Sequence, residues 1–95
     1  MTFEYLEFRL HAVERMFERE ISVADVEEII RSGKVIEDYP HDAPYPSCLM
    51  LGVVRGRSLH VVVAKDEEFK RAIVVTVYQP DAEQWEPGFE RRKHS

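Results

Sequence analysis

The chain has 95 residues, of which 44% are hydrophobic and 33% are charged, and its formal net charge at pH 7 is −5. That length predicts a single domain spanning residues 1–95, and the composition excludes a disordered chain. No apolar run approaches the roughly 18–20 residues that a membrane helix needs, the first residues lack the pattern of a secretory signal, and the single cysteine excludes an internal disulfide. We therefore expect a cytoplasmic protein with no membrane partner.

Two interpretations fit the first residues of the chain. An amphipathic helix from about residue 3 to residue 19 could be capped by Thr2. The alternation of apolar and acidic side chains over Phe3, Glu4 and Tyr5 is also typical of a short strand. The helix is the main prediction here, and the strand is the alternative.

The first helix carries three cationic side chains, His11, Arg15 and Arg19, at four-residue spacing. At about 100° per residue they cover roughly 80° of one flank, at the edge of the apolar face. Because like charges four residues apart cost a helix a few tenths of a kcal/mol, something outside the helix is expected to offset the repulsion. Two explanations stay open, namely ion pairs with carboxylates of another element and a bound anion.

A second helix is predicted over residues 22–32. Ser22 and Asp25 have the spacing of a capping box, in which each side chain bonds to the other residue's backbone N–H. Gly33 stands where a helix commonly ends in the left-handed conformation. The apolar face of this helix consists of Val23, Val26, Ile29 and Ile30.

Beyond residue 33 the pattern becomes extended, and it ends in a tail over residues 80–95. Four strands are predicted, at residues 35–39, 48–54, 59–64 and 72–78. The last three are apolar on both faces, which predicts that both faces of the sheet are covered. We therefore predict an α+β fold, with two N-terminal helices packed on a curled, mainly antiparallel sheet of about four strands. The tail is expected to share the other face with a partner, either a second copy of this chain or an acidic, partly helical segment.

Several motifs together resemble a bacterial family catalogued as domain of unknown function 4258. They are His11-Ala12-x-x-Arg15-Met16-x-x-Arg19-x-Ile21-Ser22-x-x-Asp25-Val26, Gly33-x-Val35-Ile36, Pro46-Ser47-x-Leu49, Gly56-Arg57-x-Leu59-His60-Val61-Val62, Thr76-Val77-Tyr78-x-Pro80 and Trp85. That family is similar in layout to RelE/ParE-type toxins, which pack two helices against a small antiparallel sheet. The resemblance implies kinship with ribonucleases and gyrase poisons, although this chain departs from a typical nuclease toxin in being acidic overall.

Cleavage of RNA at a 2′-hydroxyl needs a base, an acid and cations for the phosphorane charge. His60 or His11 could serve as base or acid, and Tyr78 could orient the substrate or donate a proton. Each also has a structural interpretation, as a hydrogen-bonded or packing residue. Guanidinium groups match phosphate oxygens with paired donors. The candidate phosphate-binding residues are Arg15, Arg19, Arg57 and Arg91.

The register of two strands decides whether two of these candidates meet. His60, Val62 and Ala64 share one face of their strand, and by alternation Val74, Thr76 and Tyr78 share a face of theirs. If the two strands pair antiparallel, His60 and Tyr78 share a face only when opposed residue numbers sum to an even value. Because both faces are apolar, the sequence does not fix that register.

Other chemistry is weakly indicated. The histidines and the cysteine lack metal-ligand spacing, so we expect no metal and no other cofactor. Cys48 opens an apolar strand and is expected to be an inert core thiol. Trp85 and Phe89 precede a basic segment that ends in frayed charges over residues 93–95. They either fasten the tail to the sheet or, with the basic residues, stack a base and hold phosphate.

The acidic net charge limits any contact with nucleic acid to a focused site, because a broad basic surface is usual where counterion release drives binding. The expected function is that of a toxin-like RNA-binding protein, a metal-independent endoribonuclease of a toxin–antitoxin system. The alternative is a non-catalytic module whose cationic groove accepts an acidic, antitoxin-like partner peptide. A third interpretation assigns the cationic side chains a structural role alone.

Overall fold

The computed structural model describes residues 1–94, and Ser95, the last residue of the predicted tail, lies outside the described residues. The fold is α+β, as expected, with two helices on one side of a five-stranded sheet. In chain order the elements are β1 (Tyr5–Phe8), α1 (Leu10–Glu18), α2 (Val23–Ser32), β2 (Lys34–Tyr39), β3 (Ser47–Val54), β4 (Arg57–Asp66) and β5 (Arg71–Tyr78). No helix within residues 1–94 has the length and apolarity to span a bilayer.

The sheet has the strand order β1-β5-β4-β3-β2. The pairing of β1 with β5 is parallel, and the other three pairings are antiparallel. Strands β2 to β5 correspond to the four predicted strands, with ends that differ by at most two residues. The sheet has five strands rather than the predicted about four, because β1 adds one at its edge.

The start of the chain follows the alternative interpretation, and the prediction of a helix from residue 3 was wrong. Helix α1 begins at Leu10, its N-cap is Arg9 rather than Thr2, and no side chain caps it. The residues before it alternate as a strand, with Leu6 and Phe8 packed against the core. The edge of β5 supplies backbone partners for these residues, which local helix propensity cannot reveal.

Helix α2 begins with the predicted capping box. The Asp25 backbone nitrogen donates to Ser22 Oγ at 3.1 Å, and the Ser22 nitrogen donates to Asp25 Oδ2 at 3.3 Å. Arg55 adds an ion pair to the same carboxylate, which is largely buried. The capping box therefore also ties the helix to the turn between β3 and β4.

Gly33 ends α2 without the left-handed conformation that was predicted. Its φ is −76° and its ψ is −179°, which is extended backbone. The need for glycine is steric, because a Cβ here would lie 2.5 Å from the carbonyl oxygen of Ile29 and 2.8 Å from that of Leu51. The left-handed residue after a helix is instead Glu20, with φ 55°, directly beyond α1.

The main core lies between the helices and one side of the sheet, called the helix face below. Ala12 and Met16 of α1 pack there against alternating strand residues, together with Val26, Ile29 and Ile30 of α2. Val23, the fourth residue of the predicted apolar face, is instead 54% exposed. The buried strand residues of this cluster are Cys48, Met50, Val54, Leu59, Val61, Val63, Ala72, Val74 and Val77.

The opposite side of the sheet, called the second face below, is covered in part by the chain itself. Leu49, His60 and Ile73 are buried there, and so is Trp85 of the C-terminal segment, which comprises residues 79–92. Val53 remains 67% exposed. The expectation that the tail covers part of this face is met, whereas the partner expected to share it stays a prediction.

A bulge in β5 alters the predicted alternation of that strand. Thr76 pairs with Val62 and Val74 pairs with Val63, so Val75 has no partner in the ladder. Val74 therefore belongs to the helix-face core, while Thr76 lies on the second face. The prediction that both share a face was wrong, since one inserted residue reverses the side to which all preceding residues point.

Candidate active site

His60 and Tyr78 lie directly opposite each other on neighbouring strands. The register pairs His60 of β4 with Tyr78 of β5, so the even-sum condition is met and both side chains are on the second face. His60 Nδ1 is 3.2 Å from Tyr78 Oη, and the two rings meet edge to face with centroids 5.2 Å apart. Two of the three predicted catalytic candidates are thus in direct contact.

The surroundings of His60 fix its tautomer. Nε2 is 2.9 Å from the carbonyl oxygen of Phe89, which can only accept, so Nε2 carries the proton. Nδ1 is then unprotonated in the neutral ring and accepts a hydrogen bond from the Tyr78 hydroxyl. The Trp85 ring packs edge to face on the other side of the imidazole, with the two ring centroids 4.5 Å apart, and His60 is 0% exposed. Burial lowers the pKa of His60 below its ordinary 6.5, which favours this neutral form.

Tyr78 is the member of the pair that solvent or a substrate can reach. Its side chain is half-buried, whereas His60 is covered by the C-terminal segment. Burial raises the pKa of Tyr78 above 10, so its hydroxyl stays protonated at neutral pH. Tyr78 can therefore donate a proton to a substrate. It can also take a proton from a substrate while it passes its own proton to Nδ1 of His60.

Glu37 and Arg92 form a second polar group on this face, which the sequence analysis missed. Arg92 donates to Glu37 with two nitrogens, at 2.9 and 3.1 Å, and lies 4.6 Å from the centroid of the Trp85 ring. Tyr39 donates its hydroxyl to Glu37. The Arg92 hydrogen bond lowers the pKa of Glu37 below 4.5, against the effect of burial. Burial and the Glu37 carboxylate raise the pKa of Tyr39 to about 12.

The C-terminal segment, residues 79–92, is fastened to the sheet, as the structural interpretation of the tail predicted for part of it. Trp85 packs on His60, the carbonyl of Phe89 bonds to the same ring, and Arg92 bonds to β2. Arg91, the basic residue predicted to bind phosphate, is exposed in this segment. The Trp85 ring and the Phe89 carbonyl fasten the tail to the sheet, which leaves Arg91 available to a ligand.

The cationic side chains of α1 are not part of this site. His11 and Arg15 on α1 and Arg19 at its C-cap are exposed, and this helix packs on the helix face, across the sheet from His60. Within residues 1–94 none of the three pairs with a carboxylate of another element, and Arg15 contacts Glu18 of its own helix at 3.4 Å. His11 is therefore separated from the other two catalytic candidates.

Arg57, the remaining phosphate candidate, bonds to the protein itself. Its guanidinium donates to the carbonyl oxygen of Arg19 at 2.8 Å and to that of Glu20 at 3.3 Å. Carbonyls at a helix C-terminus lack partners within the helix, so Arg57 satisfies the end of α1 and complements its dipole. This contact explains its position without a phosphate.

Cys48 is a buried free thiol on the helix face, and burial raises its pKa. Both features make the thiolate scarce, in agreement with the prediction of an inert core cysteine. Within residues 1–94 no group of three or more histidine, cysteine or carboxylate side chains is arranged to hold a metal ion.

The stability of the protein is expected to fall as the pH decreases below about 6.5. The pKa of His60 is lower in the folded state than its ordinary 6.5, so the unfolded state binds the proton first. The loss begins near 6.5 and is complete at the lower pKa of the folded state, while above 6.5 this residue contributes no pH dependence. Urea unfolding at several pH values between about 5 and 7.5 measures the slope.

The variant His60→Gln isolates this effect. It removes the titrating ring but keeps a side chain that can both donate and accept, so the slope above pH 5 should flatten. Glu37 adds a slope of its own only as the pH approaches 4.5, where its carboxylate titrates in the unfolded state, because Arg92 keeps its folded-state pKa lower. An unchanged slope in the variant would assign the pH dependence to other groups.

The fold and the site define a small α+β domain, with two helices on one face of an open mixed sheet and, on the other, a buried histidine bonded to a half-buried tyrosine. The family described as Domain of unknown function (DUF4258) matches residues 8–79, and the chain belongs to that family. No curated protein and no solved structure matches the chain.

Proposed function

We propose that this chain is a toxin-like protein that binds single-stranded RNA and cleaves it without a metal ion, on the second face of the sheet. The observation that carries the proposal is the contact between His60 and Tyr78, with the tautomer of His60 fixed by the carbonyl of Phe89. A protonated hydroxyl backed by a neutral imidazole is suited to general acid–base chemistry near neutral pH. We also propose the layout of RelE/ParE-type toxins for this chain, since two helices and an adjoining, mainly antiparallel sheet agree with it.

Tyr78 is the group proposed to contact the substrate. Its hydroxyl would take the proton of the attacking 2′-hydroxyl while passing its own proton to the unprotonated Nδ1 of His60, and the reverse transfer would then deliver that proton through Tyr78 to the leaving 5′-oxygen. His60 is 0% exposed, so it acts through Tyr78 as a positioning residue. The imidazole can carry a transient charge because its Nε2–H already donates to a carbonyl oxygen.

The phosphate is proposed to lie against the C-terminal segment. Arg91 is exposed there, and Arg92 is close by on the same segment, although Glu37 already holds the latter. Arg91 can neutralise phosphorane charge locally, which suits an acidic protein that cannot hold a long polyanion over a broad surface. The site is thus a focused one.

The experiment is an assay of the purified protein on end-labelled single-stranded RNA, free and on ribosomes, with and without EDTA. We expect cleavage that survives EDTA, together with growth arrest and RNA degradation when expression is induced in cells. Loss of cleavage in EDTA would refute the metal-independent mechanism. A protein that leaves RNA intact in both settings would refute the nuclease proposal altogether.

The second candidate function is binding of an acidic, antitoxin-like protein segment at α1. Leu10, Val13 and Phe17 lie on one flank of this helix and are 73%, 46% and 87% exposed, which is unusual for apolar side chains. The exposed cations His11 and Arg15 lie on the other flank. Glu18 partly neutralises Arg15, so this candidate ranks second.

Binding of an acidic helical peptide, followed by fluorescence anisotropy, tests this second candidate. We expect affinity that falls with salt and falls further in the double variant Arg15→Ala, Arg19→Ala, because exposed charge pairs are screened. Light scattering on the protein alone tests the alternative occupant, a second copy of the chain. Salt-independent binding would refute the charge-based partner.

A further inference from the structure

A cavity of about 230 Å³ opens on the second face, between the loop of residues 40–46 and the bulged part of β5. Its floor is apolar and consists of Val62, Ala64 and Val75. Val62 follows His60 by two residues on the same face of β4, so the floor begins about 7 Å along the strand from the histidine. The cavity therefore adjoins the proposed site of cleavage without being part of it.

The polar wall of the cavity presents hydrogen-bond acceptors. Asp42 and Ser47 line it, and the largely buried Ser47 hydroxyl donates its proton to Asp42 Oδ2. Among the side chains of residues 1–94, no other hydrogen bond reaches this carboxylate. An ionised carboxylate only accepts hydrogen bonds, and the single hydroxyl proton of Ser47 already donates to Asp42. A ligand that binds this wall must therefore present hydrogen-bond donors.

The rim of the cavity carries a cation and a fixed aromatic side chain. Arg9 lines the cavity and forms no ion pair within the described part of the chain. Tyr45 also lines it, and Arg71 holds the Tyr45 hydroxyl at 3.1 Å. An apolar floor, an acceptor wall and a cation at the rim together fit a planar, donor-bearing ring that carries a phosphate.

We propose that this cavity binds a guanine base, with Asp42 as the residue that determines specificity. Guanine presents two neighbouring donors, the ring N1–H and the exocyclic amino group, to a carboxylate. Adenine and cytosine present one amino group beside a ring acceptor, which the carboxylate would repel, and uracil presents one N–H between two carbonyls. Reading a splayed-out base by such an edge is the usual way proteins recognise single-stranded RNA. The inference rests on the proposed RNA-binding function, for which it names the preferred base.

The test is a titration of the protein with GMP, AMP, CMP and UMP at millimolar concentrations, followed by the backbone amide signals of the cavity floor. We expect GMP to bind at least tenfold more tightly than the other three. Asp42→Asn should bring the four affinities close together, because an amide replaces one acceptor by a donor. Equal affinities in the wild type, no binding of any nucleotide, or an unchanged preference in the variant would each overturn the proposal.

Two further variants control the experiment. Asp38→Asn makes the same charge change at an exposed position of β2 that pairs with Cys48 on the helix-face side, and it should keep the preference. Ala64→Leu fills the floor and should weaken all four nucleotides alike, with melting temperature as the check on folding. Loss of the preference in Asp38→Asn would overturn the assignment to Asp42.

A single-stranded RNA with one guanine distinguishes the source of the base. If the RNA binds more tightly than GMP, the ligand is a guanine within RNA, whereas equal affinity would overturn that source in favour of the free nucleotide. Guanine preference in a protein that cleaves no RNA would support the cavity and refute the nuclease. Cleavage of RNA with no base preference would support the nuclease proposal and overturn the guanine site.

Discussion

Replacement of Tyr78 by phenylalanine is expected to lower the rate of RNA cleavage by a factor on the order of 10²–10⁴. The variant keeps the ring that packs edge to face on His60 and removes only the hydroxyl that transfers the proton. The variant leaves the buried Nδ1 without a donor and should cost about 1–3 kcal/mol of folding stability, which does not lower the rate of a protein that remains folded. Initial rates on end-labelled RNA and a melting curve measure the two effects separately.

Tyr5→Phe is the matched control for this prediction. Tyr5 is 64% exposed at the β1 edge of the sheet, so loss of its hydroxyl should change neither rate nor stability. His60→Gln should also suppress cleavage while leaving RNA binding nearly intact, because His60 touches no ligand directly. A Tyr78→Phe protein that cleaves at the wild-type rate would remove this residue from the mechanism.

Gly33→Ala is expected to lower the free energy of unfolding by about 1–3 kcal/mol, the usual cost of overpacking. The added Cβ would lie 2.5 and 2.8 Å from the carbonyl oxygens of Ile29 and Leu51, and neither backbone can move without disturbing α2 or β3. For a domain of this size each kcal/mol corresponds to roughly 4–8 °C in melting temperature. Thermal unfolding followed by circular dichroism measures the shift.

Gly56→Asn is the comparison, because it tests the other reason for a glycine. Gly56 has φ +77° and nothing within 4 Å of an added Cβ, and asparagine tolerates the left-handed region. This variant should therefore melt close to the wild type. If Gly33→Ala melts there too, the close approach of α2 to β3 is not as tight as the distances imply.

The site itself was predictable only in part. His60 and Tyr78 could be identified as candidates from their residue types. Their contact depended on the strand register, which the sequence does not specify when both faces of the strands are apolar. Glu37 and Arg92 were missed, although Glu37 alternates with Tyr39 on one face of a predicted strand. That alternation was the available signal for the acid. Nothing local indicated that a residue from the basic tail would return across the sheet to meet it.

The cationic side chains of α1 were predictable in their local arrangement but not in their position relative to the sheet. Their spacing on one helix flank was read correctly, and all three are exposed. His11, the alternative to His60 as base or acid, lies apart from Tyr78, because the helix packs on the helix face and Tyr78 lies on the second face. Helical periodicity reports which residues share a flank of a helix, but not which side of a sheet that helix covers.

The sequence by itself determined the α+β class, the second helix with its capping box and the approximate extent of four strands. These features depend on residues close together in the chain, through side-chain periodicity and local hydrogen bonds. Only the tertiary structure decided that residues 5–8 form a strand, that Val75 is a bulge and that the C-terminal segment covers His60. Each of these depends on backbone or side-chain partners far away in the chain, such as β5 for residues 5–8 and the carbonyl of Phe89 for His60. Local sequence patterns do not identify such distant partners.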